Sequence, residues 1–577
     1  MRTASLASSW KKGSALAWVL PVLFLALFYF YPLGSILFFA FERLVEEGGE
    51  SLRALNLAYL WRVLRFTVYQ AFLSTLLTVL LGMPAAYLFA RYEFRGKTLL
   101  RALSTIPFVL PTLVVAAAFN ALYGPRGWAN LVAVNLLGFE EPPFTLTNSL
   151  IAILVAHVFY NLTIVIRLVG DYWSRLDPRL SQAGRSLGAT PWQAFWKITF
   201  PLLLPAILSA SLLVFIFDFT SFGVILILGG PRYATLEVEI YYQMSGLLNI
   251  PVAVTLSLLQ LGCTWVLTIA YNRLSEKVTR PLPLAAQRRV VSRLLKPHQK
   301  VFAFLVVAFL VVFQVMPLVA LVGRSLTYAG WERGERGFGV PTLSLAAYQE
   351  IFINRRASLF YIPPIQAIAI SLGYALATLL FSLLIGFPTA WFLARQQGSG
   401  KLERLRRWLE PTVLLPLGTS SVTLGLGFIL AFSQPPFDLR ASPLLIPIAH
   451  TLVAFPFVVR SLLPALRSIR PRYHQAAAVL GASPSQIVRR IDLPIVGRAA
   501  LVAGVFAFGI SMGEFGATAL LTRPEFPTLP VAIYRFLGQP GEMNYGQAMA
   551  LSVFLMATTG LGMILIERFR SGEVGEF

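Results

Sequence analysis

The chain has 577 residues, of which 56% are apolar and only 13% charged, with a mean hydropathy of +0.70. A soluble chain of that length could not hide so much apolar surface, so the class is polytopic membrane protein. One cysteine, Cys263, excludes an intramolecular disulfide and a multi-cysteine metal site, and four histidines leave little for a histidine cluster.

Apolar runs of about 20 residues cross a bilayer as helices. Twelve occur in chain order, at 15–41, 66–90, 102–122, 147–168, 203–227, 251–272, 301–323, 364–394, 411–431, 442–463, 496–521 and 545–566. Arg2, Lys11 and Lys12 ahead of the first run resemble a signal peptide. The run is too long for a signal h-region, so it is expected to be a retained span.

A net charge of +22 fits either nucleic-acid binding or the gathering of Lys and Arg in cytoplasmic loops. Alternate segments, starting with the N-terminus inside, decide between them. The inside set (1–14, 91–101, 167–197, 273–300, 395–410, 460–498 and 567–577) carries a net +24, more than the whole chain. The pattern therefore predicts twelve spans with both termini cytoplasmic and needs no nucleic acid. The loop at 324–363 dissents mildly, being outside yet carrying Arg324, Arg333, Arg336, Arg355 and Arg356.

The two halves repeat. GMPAAYLFAR at 82–91 aligns with GFPTAWFLAR at 386–395. From His157 to Tyr241 the match to His450–Tyr534 holds one offset of 293 without a gap. Each half supplies six spans, an even number, so the halves run parallel. They should be related by a pseudo-twofold axis along the membrane normal. The expected fold is all-α, two parallel six-helix repeats. The expected units are 1–272 and 301–577, joined by a basic, proline-containing cytoplasmic linker at 273–300.

The repeat includes a loop, SQAGRSLGATPWQAFWKITFP (181–201) and HQAAAVLGASPSQIVRRIDLP (474–494). Asp177-Pro178-Arg179 and Arg470-Pro471-Arg472 break the preceding helix. A short alanine-rich helix then ends at Gly188 or Gly481, residues suited to a helix C-terminus. Thr190-Pro191 or Ser483-Pro484 supplies a hydroxyl N-cap and a proline at the first helical position. A second helix is expected to run to Ile198 or Ile491, with Pro201 or Pro494 marking re-entry into the membrane.

This pattern resembles the E-A-A-x3-G-x9-I-x-L-P loop of permease subunits of binding-protein-dependent ABC importers. The resemblance covers nearly the whole chain, as two type-I importer units fused in tandem. It implies a coupling helix in each half that docks on a separate ATPase. The matching residues are Gln182, Ala183, Gly188, Ile198 and Pro201 in the first loop. In the second they are Gln475, Ala476, Ala477, Gly481, Ile491, Leu493 and Pro494. Both loops carry Gln for the usual Glu, and the first has Gly184 for the second alanine and Phe200 for leucine. The resemblance further implies two ATP-binding cassette subunits that bind ATP-Mg, an extracytoplasmic solute-binding protein, and multi-pass residence among the lipids of a prokaryotic cytoplasmic membrane.

No ATPase motif stands on this chain. Gly96-Lys97-Thr98 and Gly400-Lys401 lack the first Walker A glycine, with Arg91 and Arg395 at its place. No metalloprotease signature or convincing protease constellation is present either, and neither a catalytic nor a metal site is expected.

Ionisable groups inside spans are costly and therefore candidates for function. Asp218 lies in the fifth span and Glu514 in the eleventh; in the repeat, Asp218 aligns with Ser511 and Glu514 with Ser221. These four are expected to line the central pathway or its gate, close to Gly223, Gly513 and Gly516. Pro84, Pro107, Pro111, Pro388, Pro411, Pro416 and Pro456 mark expected kinks. His157 and His450 open a repeated H-x9-R pattern and are expected to pack helices rather than bind metal. Segments 61–77, 156–162, 221–244 and 511–538 resemble fused permeases of thiamine importers, with ferric-iron importers next. The alternative is an ion-coupled secondary transporter, which also often has two parallel six-span halves but needs no docking loops.

Overall fold

A computed structural model of the chain describes residues 18–46, 56–144, 146–279, 292–293, 296–328, 342–353, 363–394, 401–433, 435 and 438–570. Residues 1–17 and 571–577 of the chain ends, half of the linker (280–291, 294 and 295), and Arg333, Arg336, Arg355, Arg356 and Arg395 lie outside the described residues.

Among the described residues ten helices are long and apolar enough to cross a membrane, and two bent pairs, each taken as one span, bring the number to twelve. The bent pairs replace the third and ninth expected spans. Lys97–Val109 meets Thr112–Leu137 at 105°, and Glu403–Gly418 meets Ser421–Phe432 at 101°. Pro111 stands between the first two arms, and Leu415–Gly418, with Pro416 inside it, forms a 3-10 turn before the last. Proline lacks the amide hydrogen needed to carry a helix through, which weakens the helix at both corners. Pro84 and Pro388 sit inside unbroken helices, Leu57–Arg91 and Pro364–Ala394.

The fifth and eleventh spans also depart from expectation. Each was expected to be one helix, yet Pro191–Phe219 stops before a new helix at Gly223–Leu228, and Ser485–Gly513 stops before Gly516–Leu521. The breaks fall beside Asp218 and at Glu514. Both short helices are pinned by close packing. A β-carbon on Gly223 would lie 2.6 Å from Thr112 Oγ1, and one on Gly516 would lie 2.1 Å from Ser421 Oγ.

The halves are built alike at the contacts that the sequence repeats. Gly82 lets the second span close on the fourth, where a β-carbon would sit 2.8 Å from Val165. Gly386 does the same at 2.6 Å from Val458, the repeat partner of Val165. The fourth and tenth spans are the central ones, each 72% buried over its apolar window, whereas the first, fifth and sixth are 33% buried. Outward faces carry Phe38, Phe72, Phe304 and Leu380, each at least 60% exposed, as a lipid-facing surface requires.

The halves are not separate bodies. The first span packs on the second half: Phe24 meets Phe455 edge-on at 6.0 Å, and Tyr29 hydroxyl lies 2.7 Å from Thr419 Oγ1. Conversely, Ala303, Val306 and Leu310 of the seventh span share a core with Leu88, Val158 and Leu162 of the first half. At the centre, repeat-related rings meet each other. Phe222 stacks on Phe515 at 5.3 Å, and Tyr241 meets Tyr534 at 6.4 Å. Residues related by a twofold axis touch their own counterparts only on that axis, so these pairs mark where it runs.

The sixth span continues to Thr279, and the seventh begins at Pro297. Between them Ser292–Arg293 pairs in parallel with Tyr92–Glu93, tying the described part of the linker to the end of the second span. Lys97, the lysine of the incomplete phosphate-loop motif, is engaged locally by the Tyr92 carbonyl at 2.7 Å and by Glu93 at 3.1 Å.

Candidate functional site: an axial cavity and two surface loops

Both repeated loops are helix-turn-helix units. Pro178–Ser186 ends in a Schellman motif, with Ala189 N–H donating to Gly184 O and Gly188 N–H to Arg185 O, both at 3.1 Å. Pro471–Val479 ends the same way through Ala482 to Ala477 and Gly481 to Ala478. Gly188 and Gly481 hold φ of +92° and +80°, which only glycine adopts without strain. Thr190 and Gln193 form a reciprocal capping box, and Ser483 and Gln486 repeat it.

Beyond the cap, the expected break at Pro201 and Pro494 is absent. Each second helix runs on into its span through one wide π turn, Phe195–Thr199 or Val488–Asp492. These are repeat-equivalent positions. A wide turn just upstream relieves the clash that a proline ring makes with the preceding turn, so the helix bends its ladder and continues.

The loop residues divide into two groups. Gln182, Ala183, Gly188, Pro201, Gln475, Ala476, Gly481, Leu493 and Pro494 are exposed. Ile198, Ala477 and Ile491 are half-buried. Ile198 packs inward: a β-carbon on Gly184 would lie 2.4 Å from its Cδ1, which gives the departure at Gly184 a physical reason. Among the most exposed apolar side chains are ones the motif does not include, Leu187 at 89% and its counterpart Leu480 at 87%, with Val479 beside the latter at 88%. The loops differ in one anchor: His474 Nε2 lies 2.6 Å from the buried Asp492, which also accepts from Trp391 Nε1 at 3.3 Å.

On the axis, a cavity of about 460 Å³ is lined by both halves. Asp218, Ser221 and Glu514 are in its wall, with Phe222 and Phe515. Ser511 is one step behind, its hydroxyl 2.7 Å from His450 Nδ1. In the first half, Asp218 Oδ1 accepts from Asn161 Nδ2 at 2.7 Å and lies 3.4 Å from His157 Nδ1. His157 also meets Ser74 at 3.0 Å through Nδ1 and Ser221 at 2.9 Å through Nε2. Gln70 donates to the Asp218 backbone carbonyl at 2.8 Å. Asp218 Oδ2 is buried without a hydrogen-bond partner among the described residues.

Glu514 is fully engaged. Oε1 accepts from Ala517 N at 2.8 Å, while Oε2 accepts from Thr518 N at 3.1 Å and Thr518 Oγ1 at 2.6 Å. His450 Nε2 lies 3.2 Å from the same carboxylate. Glu514 thus caps Gly516–Leu521, the second arm of the broken span.

The histidines do more than fill space between helices, because each ties the fourth or tenth span to the next by hydrogen bonds. Asn161 carried no signal in the sequence, since its repeat counterpart is Ala454. Gln70 and Ser74 are ordinary residues of the second span until folding brings them to the site.

This arrangement defines a polytopic membrane permease with a pathway on its axis. The model of the binding-protein-dependent transport system inner membrane component matches residues 78–280 and again 386–570, and the chain belongs to that family. Curated relatives align along nearly the full length. The thiamine transport system permease protein of Escherichia coli (strain K12) is 26% identical, covering 86% of this chain and 87% of its own. That of Brucella abortus (strain 2308) is 27% identical over 91% of both chains, and that of Haemophilus influenzae 26% identical over 89% and 90%.

Proposed function

We propose that this chain forms the translocation pathway of a thiamine importer and is driven by ATP-Mg hydrolysed on two separate cassette subunits. Units 1–272 and 301–577, joined through 273–300, each present one coupling loop to one ATPase. A binding protein delivers solute at the opposite face. The chain lies in the cytoplasmic membrane of a prokaryote with both termini on the ATPase side, and it catalyses nothing itself.

One observation carries the coupling: two loops of like construction, each with a nearly bare leucine, 89% and 87% exposed. An exposed apolar residue on a rigid, capped helix is what a protein partner buries. The leucine ends the first helix of each loop, and the second helix, after one tight turn, continues into the span that lines the cavity, so a push on the loop at Leu187 or Leu480 is passed towards Asp218 or Glu514. Membership of a binding-protein-dependent family favours this reading over ion-coupled transport.

Thiamine is favoured by the relatives and by the chemistry of the cavity. Its volume falls in the range of small-molecule sites. Phe108, Tyr160, Phe217, Phe457, Phe506 and Phe508 surround two carboxylates there. Aromatic faces and an under-satisfied carboxylate suit a flat organic cation.

The test is affinity purification of the tagged full chain with and without Leu187→Glu and Leu480→Glu. Both positions are solvent-facing, so the fold is expected to survive. A Walker-motif ATPase should accompany the wild type and be lost from the double variant. An ATPase retained in full by the variant would contradict the loop assignment.

A further inference from the structure

The end of the bundle away from the coupling loops has a second cavity, of about 560 Å³. Arg62 and Arg65 reach it from the first turns of Leu57–Arg91, and Arg232 from the turn Pro231–Tyr233. The opposite end of that long helix, at Arg91, is the end near the loops. Three arginines here run against the charge asymmetry of the chain, which places most of its Lys and Arg on the other side.

Their local partners do not account for them. Arg62 lies over the Tyr59 ring at 5.5 Å and Arg232 over Tyr233 at 5.7 Å. The one carboxylate in the wall, Glu239, accepts from Gln243 Nε2 at 2.8 Å, and Gln243 in turn reaches the Tyr59 hydroxyl at 3.2 Å. Among the described residues none of the three guanidinium groups has a carboxylate within ion-pair distance, so the cavity holds three positive groups against one negative.

The repeat supplies an internal control. The shared fold should build this cavity twice, yet the second half has Gln366, Ala369 and Glu525 where the first has Arg62, Arg65 and Arg232. Glu525 is paired with Arg523 at 3.4 Å. The basic character therefore belongs to one half alone and is not a requirement of the scaffold.

The setting points to the occupant. Trp61 and Tyr69, on the same turns, are 62% and 53% exposed, and Phe72 just below them is 60% exposed. Amphipathic rings above a lipid-facing apolar stripe mark the headgroup level of a bilayer. Guanidinium forks at that level match phosphate oxygens in geometry and charge. We propose that Arg62, Arg65 and Arg232 form a site for the phosphate group of an anionic phospholipid, in the leaflet facing away from the ATPases and on the first half only.

The experiment is native mass spectrometry of the purified full chain, titrated with phosphatidylglycerol, with phosphatidylcholine and with inorganic phosphate. Phosphatidylglycerol should bind in preference to phosphatidylcholine and resist millimolar phosphate. R62Q/R65Q/R232Q should weaken it by about tenfold or more, each surface arginine contributing roughly fivefold. R62K/R65K/R232K should keep most of it, and R95Q/R407Q, at exposed positions on the other side, should keep all of it. If the triple Gln variant does not purify as a single species, R62Q alone reads about a fivefold loss. Unchanged binding in the Gln variants overturns the site, as does an equal loss in R95Q/R407Q. Displacement by free phosphate overturns the lipid assignment. A triple variant that keeps the lipid but loses a co-purifying binding protein assigns the surface to an acidic protein partner instead.

Discussion

His157 and His450 occupy equivalent positions in two copies of one fold, and one exchange between their surroundings sets the two sites apart. The acid and the serine trade places: Asp218 and Ser221 in the first half, Ser511 and Glu514 in the second. The consequence is a division of labour. Glu514 sits three and four residues ahead of the amides it caps, and Thr518 adds a hydroxyl, so its oxygens are filled from within the half. Asp218 is one helical turn earlier, before the break rather than at it. It reaches Asn161 with one oxygen and leaves the other without a partner in the wall of the cavity. A buried carboxylate oxygen without a donor is costly unless something arrives to meet it. One acid caps a helix, and the other lines the cavity with an oxygen to spare.

That contrast can be broken by substitution. The largest stability effect should come from Glu514→Ala, which removes a cap and orphans two buried amides, together worth about 3–5 kcal/mol. Thermal unfolding of the purified chain reads it, and a loss below about 1 kcal/mol would remove Glu514 from the structural role. Asp218→Asn should do the reverse. The amide oxygen still accepts from Asn161, so stability should stay within about 1 kcal/mol, while uptake falls by about tenfold or more, as expected when a buried charge contact of about 1.4 kcal/mol or more is lost. The double change Asp218→Ser, Ser221→Glu copies the second half into the first. Ile225 replaces Thr518 there, so the copied cap lacks its hydroxyl donor. It should fold with a penalty of about 1 kcal/mol and transport no better than Asp218→Asn. The loop glycines should show an effect on stability alone. No atom lies within 4 Å of a β-carbon at Gly188 or Gly481, so alanine there costs only backbone strain, about 1–2 kcal/mol each. Asparagine, which tolerates positive φ, should cost less than alanine, and the difference reads out in the same unfolding measurement.

Much of this was legible in the sequence. Span lengths, the unbroken offset from His157 to Tyr241 and the turn chemistry of Gly188 and Thr190 are local or periodic signals, and the helices and loops follow from them. The two acids stood out because ionisable residues are rare at such depth. What escaped is tertiary. Nothing local says that Pro111 turns the chain through 105° while Pro84 is absorbed. The outcome depends on what packs at each corner. The sequence ends the loop helix at Ile198 and re-enters the membrane at Pro201, but a π turn carries one helix past both. The exchange of first spans leaves no mark in the pattern, because a lipid-facing helix has the same composition whichever half it packs on. Ser511 was grouped with the cavity because it is the counterpart of Asp218, but a serine is short enough for His450 to hold it behind the wall.

The most direct test is ATP-dependent uptake of radiolabelled thiamine into proteoliposomes holding the full chain with its co-purified ATPase and binding protein, comparing wild type, Asp218→Asn and Leu187→Glu/Leu480→Glu. The account predicts uptake by the wild type, ATP hydrolysis without uptake in Asp218→Asn, and neither in the loop variant. Wild-type rates in both variants would contradict it.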